Sequence, residues 1–292
     1  MRNAAALAAF LLLAALFPPS ARAAPPPIAL RLVYTAYADG LATVQMAAAL
    51  ELTPRGYGLS FDYHTVGVVG FLFPGHDLAE AAGTWRGDAA EPRIFESRGS
   101  WNGRQYDVVI GYAGGVPEVR RLVPSEADRR EPVPAPLQQA TIDTVSAMAL
   151  LLQRVIEDGS CRLAVRVFDG RRLVALQAEP AGTDRLGVTA RSFFHGPALR
   201  CDLRGRLLAG FLRSDGPAMR RRVNHGVVWF AHPVPGLPLL PVRIAFSTGW
   251  FGAAMMYLTN IAAGPRGAAL TQPSRLARRS TQPVSQEDKA SH

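Results

Sequence analysis

Apolar and polar side chains alternate over long stretches of this chain, a pattern typical of half-buried β-strands. From residue 57 to residue 64, large apolar and aromatic side chains occupy the odd positions, and polar side chains take the even positions from 60 onward. Residues 41–52 repeat the pattern, and we expect one face of that strand to carry Ala42, Val44, Met46, Ala48, Leu50 and Leu52. The pattern predicts a protein made mainly of β-strands.

Glycine-containing dipeptides separate several of these runs. Asp39-Gly40, Asn102-Gly103 and Asp169-Gly170 each stand between two strand-like segments. Such pairs tolerate positive φ at both central positions of a type I′ turn, so we predict three antiparallel β-hairpins. Asp39 and Asp169 are accordingly interpreted as turn formers and not as a pair of catalytic acids.

Residues 141–159 break the alternation and show helical spacing. Thr141 or Asp143 can serve as the N-cap, and Gly159 as the residue that ends the helix. The apolar positions at helical spacing are Ile142, Val145, Met148, Leu152 and Val155. Because Leu150, Leu151 and Ile156 make the segment apolar on more than one side, we predict a helix at 141–158 that is buried on most of its circumference.

These elements together predict one domain, from residue 24 to residue 264, in which a large curved antiparallel sheet or incomplete β-barrel wraps around the helix. Residues 124–138 contain four prolines and mixed charges, so they indicate an irregular connector. The interval between Arg243 and Arg266 has no charge, but its polar residues and glycines favour a closing hairpin over a membrane span. From residue 265 to residue 292 the composition predicts a disordered basic tail.

The first residues predict export. Arg2 precedes an uncharged apolar run from Ala4 to Phe17, and Ala21 and Ala23 supply the small side chains that signal peptidase requires. We predict a signal peptide at 1–23, cleaved after Ala23, and a periplasmic protein with no integral span after cleavage. A retained anchor is the weaker alternative, because this run has 14 residues and a bilayer requires about 20.

Charge and cysteine content refine this picture. The formal net charge is +9 and is almost wholly due to arginine, since Lys289 is the only lysine. Such a bias is as typical of a GC-rich genome as of phosphate contacts, and export argues against a nucleic-acid partner. The cluster Arg220, Arg221 and Arg222 either contacts an anionic lipid head group or lies in a charged loop between strands.

Two cysteines, Cys161 and Cys201, are expected to pair, because an even number in an oxidising compartment indicates a disulfide. A catalytic thiol beside His195 is the competing interpretation, but no helix start or CxxC spacing is present to lower its pKa. The nucleophile-elbow, zinc-protease, Walker and dinucleotide motifs are absent from the sequence. We therefore expect no catalytic residue, no metal site and no cofactor.

Several stretches in order resemble a known family. They are YTAYADGLATVQMAAALELTPRGYGLSFDYHTVGVVGFLFPG, FESRGSWNGRQYDVVIGY, TIDTVSAMALLL, GSCRLAVRVFDGRRLVALQ and GPALRCDLR. Over residues 30–262 the chain resembles the proteobacterial family called domain of unknown function 3108. The resemblance implies export and no assigned activity, and the matching Cys161 and Cys201 support the disulfide. By architecture the chain is also similar to periplasmic lipoprotein carriers, in which a curved sheet wraps helices around an apolar cavity.

Residues 65–76 carry no acidic side chain and no arginine. Either they form a core-facing turn that closes one end of the sheet over the helix, or they contact an apolar ligand or a membrane. In the second case the expected ligand-binding residues are Val68, Val69, Phe71, Leu72 and Phe73, with Met148 and Leu152 from the helix.

The leading functional hypothesis is a non-catalytic periplasmic protein of envelope maintenance. It would bind an apolar or lipid-like ligand, or a lipidated partner, in a cavity of the curved sheet. The first alternative is a structural protein with a filled core that contacts other envelope proteins. A hydrolase of a cell-wall or lipid substrate is the third hypothesis, and it requires a serine, a histidine and an acid within hydrogen-bond reach.

Overall fold

The computed structural model describes residues 27–248 and 252–264, so the predicted signal peptide and the predicted tail lie outside the described residues. The strands are β1 (Ile28–Ala38), β2 (Leu41–Thr53), β3 (Gly56–Thr65), β4 (Gly75–Arg86), β5 (Ala89–Trp101), β6 (Arg104–Ala113), β7 (Val116–Val123), β8 (Leu163–Phe168), β9 (Leu173–Leu186), β10 (Gly196–Ala209), β11 (Val223–Ala231), β12 (Leu240–Thr248) and β13 (Gly252–Ala263). The helices are α1 (Gly67–Leu72), α2 (Ala135–Gln138), α3 (Thr144–Asp158) and α4 (Pro217–Arg220).

All strands of the described residues belong to one 13-stranded antiparallel sheet with the order β7-β6-β5-β4-β3-β2-β1-β13-β12-β11-β10-β9-β8. Two meanders, β1 to β7 and β8 to β13, are joined where β1 pairs with β13, from Leu30 opposite Ala263 to Ala38 opposite Ala254. The edge strands β7 and β8 do not pair with each other. The sheet is therefore an incomplete barrel, and the predicted mainly-β fold class is confirmed.

Two of the three predicted turns have the expected geometry. Asp39 and Gly40 have φ of 47° and 84°, and Asn102 and Gly103 have φ of 48° and 78°. Positive φ at both central positions defines the type I′ turn, which matches the twist of the strands that it joins. These dipeptides connect β1 to β2 and β5 to β6.

The turn between β8 and β9 differs from the prediction. Gly170 has positive φ, but Asp169 does not, and four residues separate the two strands. The Asp169 carboxylate accepts hydrogen bonds from the backbone N–H groups of Arg171 and Arg172, at 2.9 and 2.7 Å. A short acidic side chain that accepts from the following backbone stabilises a wider turn. The hairpin prediction was correct, and its turn type was wrong.

The predicted single face of β2 is also corrected by the structure. A bulge between Ala36 and Tyr37 of β1 leaves Thr43 without an opposite residue. Thr43 is buried and donates a hydrogen bond to the carbonyl of Ala36 at 3.2 Å. A bulge shifts the alternation by one residue, so the inward face of β2 carries Thr43 together with Ala48, Leu50 and Leu52.

Helix α3 begins three residues later than predicted. Asp143 is the N-cap and accepts from the backbone N–H of Ser146, whereas Gly159, with φ of 63°, ends the helix as expected. Ile142 forms an isolated parallel bridge with Val167 of β8, which holds the residues before the helix in an extended conformation. That pairing excludes Thr141 from the N-cap position.

Helix α3 lies within the curl of the sheet, where it packs against β3, β4 and β5 on one side and β8 on the other. Its buried residues occupy nearly the whole circumference: Val145, Ser146, Ala147, Ala149, Leu150, Leu151, Leu152 and Val155. Burial of a large aliphatic side chain stabilises a fold by roughly 1.5–3 kcal/mol. The predicted buried helix is confirmed.

Turns and connectors bring the two edges of the sheet together. A methyl group at Gly170 would lie 3.2 Å from Leu122 and 3.4 Å from Val108, so the turn after β8 packs against β6 and β7. The guanidinium of Arg171 donates to the carbonyls of Val123 and Pro124, at 2.9 and 2.8 Å. The edges thus meet through side chains instead of a backbone ladder.

The connector at residues 124–138 is more ordered than predicted. The backbone N–H of Glu131 donates to Phe211, and that of Arg213 donates to Arg129, at 2.9 and 2.8 Å. Helix α2 occupies the end of the segment. The prolines and charges predicted irregular structure. The order was missed because the segment that pairs with the connector, 211–213, is distant in sequence.

The uncharged interval after Arg243 forms the hairpin of β12 and β13, as predicted, with Arg243 opposite Tyr257. Residues 249–251 of its turn lie outside the described residues. Among the described helices, none combines the length and the apolar character needed to cross a membrane.

A disulfide joins Cys161, just before β8, to Cys201 in β10, and both residues are fully buried. The predicted pair is confirmed. In the sheet, β9 is the only strand next to the edge strand β8 among the described residues. The disulfide ties Cys161, just before β8, to β10, the second strand inward. Disulfides of this kind are typical of exported proteins.

Replacing both cysteines, Cys161→Ala with Cys201→Ala, should lower the free energy of unfolding by about 4 kcal/mol in the chain-entropy model. The estimate follows from a sequence separation of 40 residues. Urea unfolding followed by circular dichroism measures the change, with wild type in reductant as a second reference. An unfolding midpoint equal to that of oxidised wild type would contradict the expectation.

Candidate functional site

A cleft of about 550 Å³ lies between the β4–β5 hairpin and the edge strand β8, beside the open seam of the sheet. One wall consists of Arg86 at the end of β4, residues 89–92 at the start of β5 and Gly115 in the β6–β7 turn; the other consists of 164–166 in β8 and 175–177 in β9. Residues 140–142 and Leu150 of α3 form its floor. The volume falls within the range of about 300–1,000 Å³ that is typical of small-molecule sites.

The cleft walls are predominantly apolar and small. Five of the lining residues are alanines, which leave space that larger side chains would fill: Ala89, Ala90, Ala140, Ala164 and Ala175. Ile142, Leu150 and Val165 supply larger apolar contacts. This composition suits an apolar chain more than a polar metabolite.

Polar groups stand at the margins of the cleft. Arg86 forms an ion pair with Glu91. Arg166 donates to the backbone carbonyl of Gln139 at 2.8 Å, and no described carboxylate pairs with it. One guanidinium at the margin is thus neutralised, whereas Arg166 retains donors for an anionic group.

A buried polar network lies directly beneath the cleft floor. Asp143 and Ser146 are fully buried, and the Ser146 hydroxyl donates to the Asp143 carboxylate at 2.6 Å. Tyr57 of β3 donates to the same Ser146 hydroxyl at 2.7 Å. Tyr112 of β6 is close to this carboxylate, but its buried hydroxyl has no hydrogen-bond partner among the described residues. The network fixes the start of α3 to the sheet.

Burial determines the protonation of this network. It raises the pKa of Asp143 to about 6, although the hydrogen bonds from Ser146 oppose the shift. Burial also raises the pKa of Tyr112, and the nearby charge of Asp143 raises it further. A carboxyl group this deep is more easily accommodated when it is protonated. The start of α3 is therefore sensitive to pH.

The variant Asp143→Asn should remove a pH dependence of stability. Because the folded pKa of about 6 exceeds the ordinary value of 3.8, the stabilising contribution of Asp143 is complete below about pH 4 and is lost as the pH rises through about 6. As the pH rises between those limits, the unfolding free energy of wild type should therefore fall by about 2 to 3 kcal/mol relative to that of Asp143→Asn. Urea unfolding at both pH values measures the difference.

The matched control for that experiment is Asp39→Asn, which keeps a turn-compatible side chain at an exposed position. It should follow the wild-type stability across the same pH range. If the unfolding free energy of Asp143→Asn changed with pH by the same amount as that of wild type, the assigned role of the buried carboxyl would be wrong.

The segment after β3 forms helix α1 and lies at the opposite end of the sheet from the cleft. Val69 is buried, while Val68, Phe71 and Leu72 are 61%, 85% and 55% exposed. Helix α1 packs on β2 and β3. The expected core-facing turn over the helix was wrong, because three of the apolar side chains of α1 point outward.

The ligand-binding residues expected from sequence do not form one site. Val68, Val69, Phe71, Leu72 and Phe73 lie on or next to α1, which follows the end of β3. Helix α3, with Met148 and Leu152, contacts β3 through Tyr57 near its start. Tyr57 and Thr65 are about 26 Å apart at the usual rise per residue. Within α3, Leu152 is buried and Met148 is exposed to solvent, and neither lines the cleft.

The three arginines expected to contact an anion, Arg220, Arg221 and Arg222, do not form one site either. Arg220 donates from Nη1 to Oε2 of Glu131 at 3.1 Å, in a bidentate pair that lowers the pKa of Glu131, and its guanidinium lies over Phe211. Arg221 and Arg222 remain exposed. The Arg220 side chain therefore supports the connector and is not available for a free phosphate group.

The hydrolase hypothesis requires a set of groups that the described residues do not assemble. Ser100 Oγ lies 3.1 Å from His76 Nδ1, but the pair is on the outer side of β4 and β5, and no described carboxylate hydrogen-bonds to either residue. Asp77, on the inward side, instead accepts from Ser97 at 3.0 Å. No group of three or more metal-ligating side chains exists within the described residues.

Sequence reasoning missed the cleft residues. Arg166, Ala164 and Ala175 occupy ordinary strand positions, and the β4–β5 turn carries no motif. Only Ile142 and Leu150, which belong to the apolar helical pattern, gave a signal. The cleft depends on how β5, β8 and the residues before α3 come together, and no local pattern records that.

Comparisons with known proteins agree with this fold. The model of the family described as protein of unknown function (DUF3108) matches residues 33–259, so the chain belongs to that family, as its sequence motifs indicated. A search of curated proteins finds no match. Among solved structures, the chain is similar to a beta-barrel-like protein of domain of unknown function DUF1849 from Brucella abortus. The TM-score is 0.50 at 10% identity, over 82% of this chain and 98% of that chain, which supports the fold alone.

Proposed function

We propose that this DUF3108 protein is a non-catalytic periplasmic protein of envelope maintenance that binds a lipid-like ligand, or the acyl chain of a lipidated partner, in the seam cleft. The observation that carries the proposal is the apolar cleft of about 550 Å³ between the β4–β5 hairpin and the edge strand β8. The predicted signal peptide and the buried disulfide support the assigned compartment.

The chemistry of the walls indicates which part of a ligand lies where. Ile142, Leu150 and the alanines would contact an acyl chain, whose transfer from water contributes roughly 0.8 kcal/mol per buried CH₂ group. Arg166 at the margin would hold an anionic head group, since its only described partner is a backbone carbonyl. A fatty acid or a phospholipid chain combines both features.

The unpaired seam also provides a route of entry. Because the β4–β5 wall is not paired with β8 in the sheet, the walls of the cleft can separate without breaking a ladder between strands. A closed barrel of this size would have to open a row of hydrogen bonds to admit a chain through its wall.

A bulky side chain at Ala164 tests the site, because this residue lines the cleft and is solvent-exposed, so Ala164→Phe can fill the space without disturbing the core. Protein purified from the periplasm should carry lipid that native mass spectrometry detects. Ala164→Phe should weaken binding of a fluorescent fatty acid by about tenfold or more, and Arg166→Ala should weaken it for fatty acids more than for the uncharged methyl ester.

The matched control is Ala218→Phe on the exposed helix α4, away from the cleft, which should bind like wild type. Wild-type protein that neither retains lipid nor binds the fatty acid would defeat the proposal. Equal affinities of wild type and Ala164→Phe would place the binding elsewhere.

The alternative function, a structural protein that contacts other envelope proteins, is supported by one observation. Helix α3 fills the curl of the sheet so completely that eight of its residues are buried. That alternative expects a co-purifying protein and no retained lipid, so the same preparation distinguishes the two functions.

A further inference from the structure

We infer that helix α1 is a membrane-docking element that inserts its exposed apolar side chains into an anionic lipid surface. Val68, Phe71 and Leu72 are spaced i, i+3, i+4, so they share one face of the single helical turn. Val69, about 100° round the helix from Val68, is buried on the side that packs on the sheet. A short helix with one face anchored and the other apolar and exposed presents its side chains in a fixed direction.

The surrounding residues hold α1 rigidly. The Thr65 hydroxyl donates to the carbonyl of Phe73 at 3.1 Å and accepts from the backbone N–H of Gly75 at 2.9 Å, so it bridges the two ends of the α1 segment. A Cβ at Gly70 would lie 2.7 Å from the Thr65 carbonyl oxygen. Glycine at this position therefore allows α1 to sit directly on the end of β3.

Two further exposed apolar side chains lie on the same end of the sheet. Leu41, 58% exposed, begins β2 next to the Ala42 carbonyl that Gly67 approaches. Trp101, 43% exposed, ends β5 opposite Gly75, and its ring covers that glycine. Tryptophan is enriched at membrane–water interfaces, where its ring is apolar and its N–H group is polar.

The charges near α1 favour a lipid surface with negative head groups. Residues 65–75 contain no charged side chain. Exposed Arg104 lies opposite Trp101 on one side, whereas Arg191 on the other side is half-buried and lies over the Tyr37 ring. Asp39 is the one acid in the adjoining β1–β2 turn. An exposed arginine such as Arg104, beside an apolar projection, reaches an anionic head group while the apolar side chains enter the interface.

A bilayer fits this surface because Phe71, the most exposed side chain of the patch, projects from the protein and would need a matching pocket in a protein partner. A lipid surface requires no such pocket. The patch is also remote from the cleft, since β4 runs 12 residues from α1 to the cleft wall, or about 36 Å. Docking and ligand binding are thus separable.

The test is sedimentation of the chain that begins at Ala24 with vesicles of phosphatidylethanolamine and phosphatidylglycerol. Wild type should bind these vesicles, and it should bind phosphatidylcholine vesicles more weakly. Phe71→Ser should weaken binding by about tenfold or more. The matched pair Val68→Ser and Val234→Ser replaces two exposed valines at opposite ends of the sheet; only Val68→Ser should weaken binding, while Arg104→Ala should reduce the preference for phosphatidylglycerol.

The predicted basic tail is common to all these proteins, so the differences between variants report on α1 alone. Ala164→Phe, which fills the cleft, should bind vesicles like wild type, and this result separates docking from the proposed ligand binding. Vesicle binding that is absent in wild type, or unchanged in Phe71→Ser, would overturn the inference. A wild-type dimer in light scattering that Phe71→Ser converts to a monomer would overturn it too, because the patch would then bind a second copy.

Discussion

The two edge strands, β7 and β8, do not pair with each other within the described residues, so no backbone ladder closes the sheet. Side-chain contacts of the β8–β9 turn join the edges at one point. Helix α3 stabilises the curl from inside, because it contacts β3, β4 and β5 on one side and β8 on the other. Each large aliphatic side chain that α3 buries contributes roughly 1.5–3 kcal/mol. The cleft lies beside the same open seam, between the β4–β5 hairpin and β8. Fold and candidate site thus follow from one constraint.

The buried start of α3 connects the helix to that site. Asp143, Ser146 and Tyr57 form a hydrogen-bonded chain from the helix to β3, whereas Ile142, one residue before the N-cap, pairs with β8 and lines the cleft. Burial of the carboxyl opposes folding when it is ionised, but its hydrogen bonds specify one position of the helix along the sheet. A ligand in the cleft would touch the residues that set this position. Helix α1 lies at the other end of the sheet, so its surface can act independently.

Much of the fold could be predicted from the sequence because its signals are local. The Asp39-Gly40 and Asn102-Gly103 turns, the alternation in β3 and the end of α3 at Gly159 each depend on neighbouring residues alone. The bulge at Thr43 and the pairing of Arg220 with Glu131 depend on partners distant in sequence. Helix α1 gave no helix signal, since Val66 provides no side-chain cap and the helix has six residues. The cleft combines turns and strands from residue 86 to residue 177, and only the complete topology brings them together.

Amide hydrogen exchange of α3 tests most directly whether the helix stabilises the curl of the sheet. If it does, the amides from Ala147 to Val155 exchange only through global unfolding, as slowly as the central amides of β1 and β2. Exchange of those α3 amides ahead of an intact, protected sheet would contradict the account, because the sheet would then keep its curl without the helix.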